Sequence, residues 1–146
     1  MYQPAIQSLD LIQERFDMIC LVDDDPGSIF LHTHFLHEIG YIGTLKKFNY
    51  PLEALDKIKN LSDQHSILLL LDVNMPLCTG WQFVDQICTD WSGAHQNNLT
   101  IGVLTSSVHP SDRERAKANP LVTLYSEKPI DVLGMSSILD QLVEAF

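Results

Sequence analysis

Short, unbroken apolar runs alternate along the chain with longer stretches in which apolar residues recur every three or four positions. Met18–Val22 (MICLV) is apolar throughout and stops at three aspartates, the pattern of a strand buried on both faces. Pro26-Gly27-Ser28 then opens a helix that runs to about Ile39 and closes at Gly40. Gly43 to Phe48 is a weaker strand, and Pro51 begins a second helix through about Leu61 with Leu55 and Ile58 inward. Ile67 to Leu71 is the strongest strand signal and again ends at an aspartate, Asp72. A Pro76-Leu77-Cys78-Thr79-Gly80 loop follows, then a helix from about Trp81 to Asp90. Leu99 to Leu104 is a strand ending at Thr105-Ser106-Ser107, Pro110 to Ala118 a short polar helix, and Val122 to Tyr125 a strand ending near Glu127-Lys128-Pro129. Asp131 to Phe146 is an amphipathic terminal helix, and Ser92 to Asn98 is expected to be a polar loop.

This order is five βα units in succession. Alternation at that spacing predicts an α/β fold: a central five-stranded parallel sheet, doubly wound, with crossover helices on both faces. Residues 1–16 form an extension ahead of the first strand. Leu9, Ile12 and Phe16 have helical spacing there, which predicts an extra helix packed on the domain of residues 17–146.

Composition narrows the function more than the fold. The 146 residues carry 9 Lys and Arg against 19 Asp and Glu, a net charge of -10. That excess argues against direct nucleic-acid binding and against docking on anionic lipid, since both need a basic surface. Cys20, Cys78 and Cys88 are odd in number with no C-x-x-C pair, so neither a disulfide framework nor a structural zinc site is expected. The first 16 residues lack a basic and then apolar leader, and no run is long enough to span a bilayer. A soluble cytoplasmic protein is the expectation.

In an open parallel sheet, ligands bind at the carboxyl ends of the strands. Four strands end there in specific polar residues: Asp23-Asp24-Asp25, Asp72, Thr105 and Lys128. Any one of them has an ordinary explanation; Asp24 or Asp25 could simply cap the next helix, and Lys128 alone could be a solvated charge. Jointly, at one edge, they ask for more. Carboxylates gathered in one site repel and need a cation to stay ionised together. An all-oxygen set of this kind suits Mg²⁺. A metal, an ammonium and a hydroxyl are what a phosphoryl group requires, and a carboxylate at their centre can act as its nucleophile.

With these residues in view, the chain resembles a receiver domain of two-component response regulators, of the stand-alone chemotaxis-regulator kind. The matching elements are Cys20-Leu-Val-Asp-Asp-Asp-Pro26, Leu71-Asp-Val-Asn-Met-Pro76 with Gly80 and Trp81, Leu104-Thr-Ser-Ser107, and Glu127-Lys-Pro129. The most specific of them is the D-x-x-M-P-x-x-x-G pattern of Asp72, Met75, Pro76 and Gly80. The resemblance covers about residues 17–146 and implies a flavodoxin-like three-layer sandwich with strand order 2-1-3-4-5. It implies that Asp72 is the phosphoacceptor, and that Asp23, Asp24, Asp72 and the backbone carbonyl of Asn74 hold Mg²⁺. Thr105 matches the hydroxyl residue that binds the phosphoryl group, and Lys128 the lysine that pairs with the aspartate and then the phosphate. Tyr125 matches the aromatic that switches rotamer when the threonine moves, and Ser107 with Asn74 flanks the path of an attacking water. The Lys128–Pro129 bond is expected to be cis, a form tolerated before proline.

The implied function is a phosphorelay switch rather than an enzyme acting on other molecules. A histidine kinase or histidine phosphotransfer protein donates to Asp72, and the aspartyl phosphate changes affinity for an unidentified downstream protein. Neither nucleic acid nor membrane is expected as a direct partner. The state is a monomer or a phosphorylation-dependent dimer, with no attached output domain. The helix carrying Phe30 faces the phosphodonor in the family, which makes Phe30 a candidate docking residue beside its ordinary reading as a half-covered aromatic. Trp81 and Trp91 are expected to pack, and His34 with His37 is set aside as a metal pair because the carboxylates sit elsewhere. The alternative is a Mg²⁺-dependent phosphohydrolase with an aspartyl nucleophile. That chemistry typically needs a second acid two residues after the first, where this chain has Asn74. A nucleotide- or flavin-binding domain would want a glycine-rich phosphate loop, and none is present. A phosphorylation-independent scaffold is the remaining reading.

Overall fold

The computed structural model describes residues 6–106 and 108–146. Its elements are α1 (Ile6–Arg15), β1 (Met18–Val22), α2 (Pro26–Glu38), β2 (Thr44–Phe48), α3 (Pro51–Leu61) and β3 (Ile67–Asp72). They continue as α4 (Gly80–Asp90), α5 (Gly93–Asn97), β4 (Leu99–Thr105), α6 (Pro110–Ala118), β5 (Val122–Glu127) and α7 (Val132–Glu144). The five strands form one parallel sheet in the order β2-β1-β3-β4-β5. The doubly wound α/β architecture is therefore as the alternating pattern implies. No described helix is long and apolar enough to cross a membrane.

The central strands explain why the sheet buries both faces. Every residue of β1 and β3 is buried. Alternate side chains divide between two cores: Cys20, Leu69, Leu71, Ile101 and Val103 lie on the side of α3 and α4. Ile19, Leu21, Leu68, Leu70 and Leu104 lie on the side of α1, α2 and α7. β2 is one of the two edges and the more exposed, and its lysines Lys46 and Lys47 discourage pairing with another strand.

The extra N-terminal helix is present as α1. Leu9, Ile12 and Phe16 are buried in the α2/α7-side core, so the helix contributes apolar area to the domain rather than lying beside it. The part of the extension at residues 1–5 lies outside the described residues, as does Ser107. α2 ends in a Schellman motif: Gly40 takes φ 99°, its N–H donates to His37 O, and the Tyr41 N–H donates to Leu36 O at 3.0 Å.

Two expectations need correction. Ser92 to Asn98 is not a plain loop but holds α5, a single turn capped by Ser92. Five residues are too few for an apolar period, and the turn is held by side chains instead, with Gln96 Nε2 donating to Trp91 O at 2.9 Å. The Lys128–Pro129 bond is trans, because no peptide bond among the described residues is cis. Trans is the lower-energy form even before proline, by about 0.5–1 kcal/mol. The β5 backbone keeps its pairing up to that bond, with Lys128 N–H donating to Thr105 O at 2.6 Å.

Candidate functional site

Two strand ends at the carboxyl edge of the sheet, those of β1 and β3, bring the acidic residues together. β1 and β3 are adjacent and in register, Val22 beside Leu71, so Asp23 and Asp72 leave neighbouring strands at the same level. Carboxylate oxygens of Asp23, Asp24 and Asp72 all lie within 4.8 Å of one another. Asp23 and Asp72 are buried, and Asp24 is half-buried at the rim. Asp25 turns away. It is the N-cap of α2, accepting from Gly27 N–H at 2.9 Å and from Ser28 Oγ at 3.2 Å. The acidic run thus splits into a site pair and a capping residue.

The backbone fixes these carboxylates locally. Asp25 N–H donates to Asp23 Oδ1 at 2.9 Å, and Asn49 Nδ2 donates to the Asp23 carbonyl at 3.2 Å, tying the β1–α2 loop to the end of β2. Asn74 N–H donates to Asp72 Oδ1 at 3.2 Å. Gly80 makes the return of the chain possible: a Cβ there would stand 2.5 Å from the Asp72 carbonyl oxygen, so only glycine fits. Thr79 then opens α4 with a reciprocal capping box to Gln82.

Lys128 enters from the end of β5. Its ammonium lies 2.8 Å from Asp23 Oδ2, 3.5 Å from Asp72 Oδ1 and 3.3 Å from Ser28 Oγ. One ammonium therefore serves two buried carboxylates, with a third beside them. Burial, and then the negative charge of Asp23, pushes the Asp72 carboxyl up from 3.8 to about 6; Lys128 and the Asn74 N–H pull the other way. Burial opposes the Lys128 ammonium, but the hydrogen bond and charge of Asp23, then those of Asp72, outweigh it and hold its pKa above the usual lysine value.

Thr105 ends β4 beside β3 and is 1% exposed. Tyr125 stands on β5 opposite Val103, half-buried, its hydroxyl accepting from His109 N–H at 3.3 Å. Asn74 is exposed on the β3–α4 loop. The structure thus gathers Asp23, Asp24, Asp72 and Lys128 into direct reach and sets Thr105 and Tyr125 on the adjoining strands. Sequence reasoning missed Ser28 and Asn49 at the site and read His32 only as a partly buried helix residue. His32 is buried on α2, and burial lowers its pKa, so it packs against the site as a neutral ring. A serine in the first turn of a helix or an asparagine two residues before one gives no signal of its own; only the folded loops bring them to the carboxylates. Trp81 and Trp91 are both buried, as packing residues should be, and Phe30 is 73% exposed.

The donor set fits a hard divalent cation. It offers only carboxylate oxygens, two of them buried, with more negative charge than Lys128 balances. Comparison with known proteins agrees in family and fold. The sequence model of the response regulator receiver domain matches residues 19–137. Comparison with curated proteins gives no match. Among solved structures, the chain resembles a two-component response regulator from Cytophaga hutchinsonii at 23% identity and a TM-score of 0.75, covering 88% of this chain and 98% of that one. It resembles a response regulator receiver protein from Dyadobacter fermentans at 24% identity and a TM-score of 0.73, covering 86% and 97%. A chemotaxis response regulator of Vibrio cholerae matches at 24% identity and a TM-score of 0.67, again over 86% and 97%.

Proposed function

Because the chain belongs to the response regulator receiver domain family, a family of signalling modules, we propose that it accepts a phosphoryl group on Asp72 from a histidine kinase or phosphotransfer protein and signals by the conformational change that follows. The observation that carries this reading is the meeting of Asp23, Asp24 and Asp72 around a single ammonium, Lys128. Receiver domains in general work with histidine kinases or phosphotransfer proteins and with downstream targets.

Asp72 is the nucleophile. With its carboxyl held at about 6 it is mostly ionised at neutral pH, yet more basic than an ordinary carboxylate. Its oxygen attacks phosphorus, the bond from phosphorus to the donor imidazole nitrogen breaks, and the electron pair returns to the ring. The product is an acyl phosphate on Asp72. Asp23, Asp24, Asp72 and the Asn74 carbonyl would hold Mg²⁺, which when bound offsets charge on the carboxylates and on the phosphoryl oxygens. Lys128 sits 3.5 Å from Asp72 but 2.8 Å from Asp23, so its looser arm is the one that turns to a phosphoryl oxygen. Thr105 supplies the hydroxyl, and Tyr125 follows it, altering the surface of α6, β5 and α7. The change is a shift between two populations, biased by the new contacts. Water reaching the acyl phosphate resets the switch. Phe30, exposed beside the mouth of the β1–α2 loop in a hollow lined by Pro26, His34 and Lys47, is the candidate contact for the donor.

Incubation with acetyl phosphate and Mg²⁺ tests the reading. Intact-protein mass should show one phosphoryl adduct that alkaline hydroxylamine removes. Asp72→Asn should show none. An adduct that survives in Asp72→Asn, or a wild-type chain that takes none from either acetyl phosphate or a phosphohistidine donor, would sink it.

A further inference from the structure

Trp81 connects the root of the Asp72 loop to the far side of the domain. It follows Gly80, whose N–H donates to Val73 O at 2.9 Å and where a Cβ would stand 2.5 Å from the Asp72 carbonyl oxygen, so the start of α4 has no slack. From there the Trp81 side chain, 4% exposed, crosses to α6 and β5. Its indole N–H donates to Asp112 Oδ1 at 2.9 Å, the Arg115 guanidinium lies 5.2 Å over its ring, and the Tyr125 ring is 6.2 Å away. Arg115 also reaches back toward Asp85 of α4 at 3.8 Å.

What makes this bond matter is how little else holds α6. Its sequence, PSDRERAKA, is polar nearly throughout, and Ala116 is its one buried residue. An element without an apolar face is positioned by the few polar contacts it makes, and belongs to the low-stability end of a fold. A leucine or phenylalanine at position 81 would fill the same space but could not direct α6. A buried indole N–H must find an acceptor, and the acceptor it finds is on that helix.

We propose that the Trp81–Asp112 hydrogen bond is a latch that holds α6 in place while Asp72 is unmodified, and so sets how much of the phosphoryl group's binding is consumed in moving the switch. This makes Trp81 and Asp112 positioning residues, and it rests on the reading of Asp72 as phosphoacceptor. A contact made in the unmodified state and lost in the modified one opposes the change by its own strength. Hydrogen bonds to an ionised partner are strong enough that deleting this one should tighten the modified state about tenfold.

Fluoroberyllate with Mg²⁺, a stand-in for the phosphoryl group that needs no donor, measures this directly. Its apparent Kd should tighten about tenfold in Asp112→Ala and in Trp81→Phe. The double variant should tighten no further, and Asp112→Asn, which keeps an acceptor oxygen but not the charge, should fall between wild type and Asp112→Ala. A merely structural role would not move the second readout, the exchange rate of the Trp81 indole proton by NMR. In wild type it should rise on binding fluoroberyllate; in Asp112→Ala it should be fast already. Far-UV circular dichroism shows whether a variant has lost α6 outright, and the wild-type proton exchange decides the matter if it has. An unchanged Kd in Asp112→Ala, Asn and Ala variants that behave alike, or an indole proton equally protected in both states overturns the latch. A wild-type chain that binds no fluoroberyllate, like Asp72→Asn, overturns the phosphoacceptor reading and the latch with it.

Discussion

At the amino end of the sheet, Ser62 is fully buried, yet its hydroxyl donates to Lys59 O at 2.6 Å and lies 2.8 Å from His95 Nδ1. With its one proton given to Lys59, the hydroxyl accepts from the ring nitrogen. Asn98 Nδ2 donates to Ser62 O at 2.7 Å, and His95 Nε2 meets Asp63 at 3.0 Å. Nearby, Asp17 and Ser66 exchange bonds, Asp17 N–H to Ser66 O at 2.8 Å and Ser66 N–H to Asp17 Oδ2 at 3.0 Å. At the carboxyl end, by contrast, two buried carboxylates share one ammonium and a third stands beside them. Both ends are polar and both lie against the same strands. The amino end is matched donor to acceptor and joins α3, α5 and β4 into a fixed seam. The carboxyl end is left with surplus negative charge, which a cation and a phosphoryl group can use. The switch proposed for the carboxyl end would be helped by an amino end that is closed.

Removing the Lys128 ammonium from the site should disturb the molecule most. Lys128→Met leaves Asp23 and Asp72 buried without their counter-charge, and breaking a buried pair from one side costs about 3 kcal/mol. Urea unfolding at pH 8 without Mg²⁺ should show that loss, and at pH 5 part of it should return as the carboxylates take up protons. An unchanged midpoint would mean that the carboxyl end is no more strained than the amino end.

Asp72→Asn should act in the opposite direction. The folded-state pKa of Asp72, about 6, lies above its ordinary value of 3.8, so folding favours the protonated form. Its stabilising contribution is fully present below about pH 4 and is lost as pH rises through 6. Asparagine cannot ionise and escapes that loss. The variant should match wild type near pH 4 and exceed it at pH 8, by at most about 3 kcal/mol. A gap that fails to open between those pH values would show that the surplus charge is already relieved. Mg²⁺ should narrow the gap by favouring the ionised wild-type cluster.

The difference between the two ends also explains what could be read from the sequence. The carboxyl end announces itself, because parallel strands deliver the last residue of each run to one edge: Asp23 after MICLV, Asp72 after ILLLL, Thr105 at the end of β4. Apolar runs and their terminal residues are local signals. The same reasoning gave the five parallel strands, the α2 closure at Gly40 and the helix carrying Leu9, Ile12 and Phe16, whereas the strand order came with the resemblance. The amino end was not legible. Its seam depends on Ser62 meeting His95 across 33 positions, and α5 is too short for a period. Nor could the partners of Trp81 be anticipated: an indole in a helix reads as packing, and only the folded chain puts Asp112, Arg115 and Tyr125 around it. The expected cis bond before Pro129 came with the resemblance, and the backbone of this chain is trans there.

Smaller effects should come from the matched end. Ser62→Ala strands the Lys59 carbonyl and the His95 Nδ1–H in a buried place, at a cost of about 1–2 kcal/mol. Because the seam is remote from the carboxylates, phosphoryl acceptance from acetyl phosphate should be unaltered in that variant, measured at a temperature where it remains folded. Slower acceptance would join the two ends energetically and undo the contrast. Asp17→Asn should be the mildest change. The amide oxygen still accepts from Ser66 N–H, the backbone bonds of residue 17 remain, and only the charge facing His65 at 3.5 Å is lost. That pair is solvent-exposed on both sides, where ion pairs are worth about 0.5 kcal/mol or less and salt screens them. The variant's unfolding midpoint should sit within about 0.5 kcal/mol of wild type, with the difference vanishing in high salt. A larger, salt-sensitive loss would mean that the amino end also carries strained charge, and that hydrogen-bond matching is not what sets it apart.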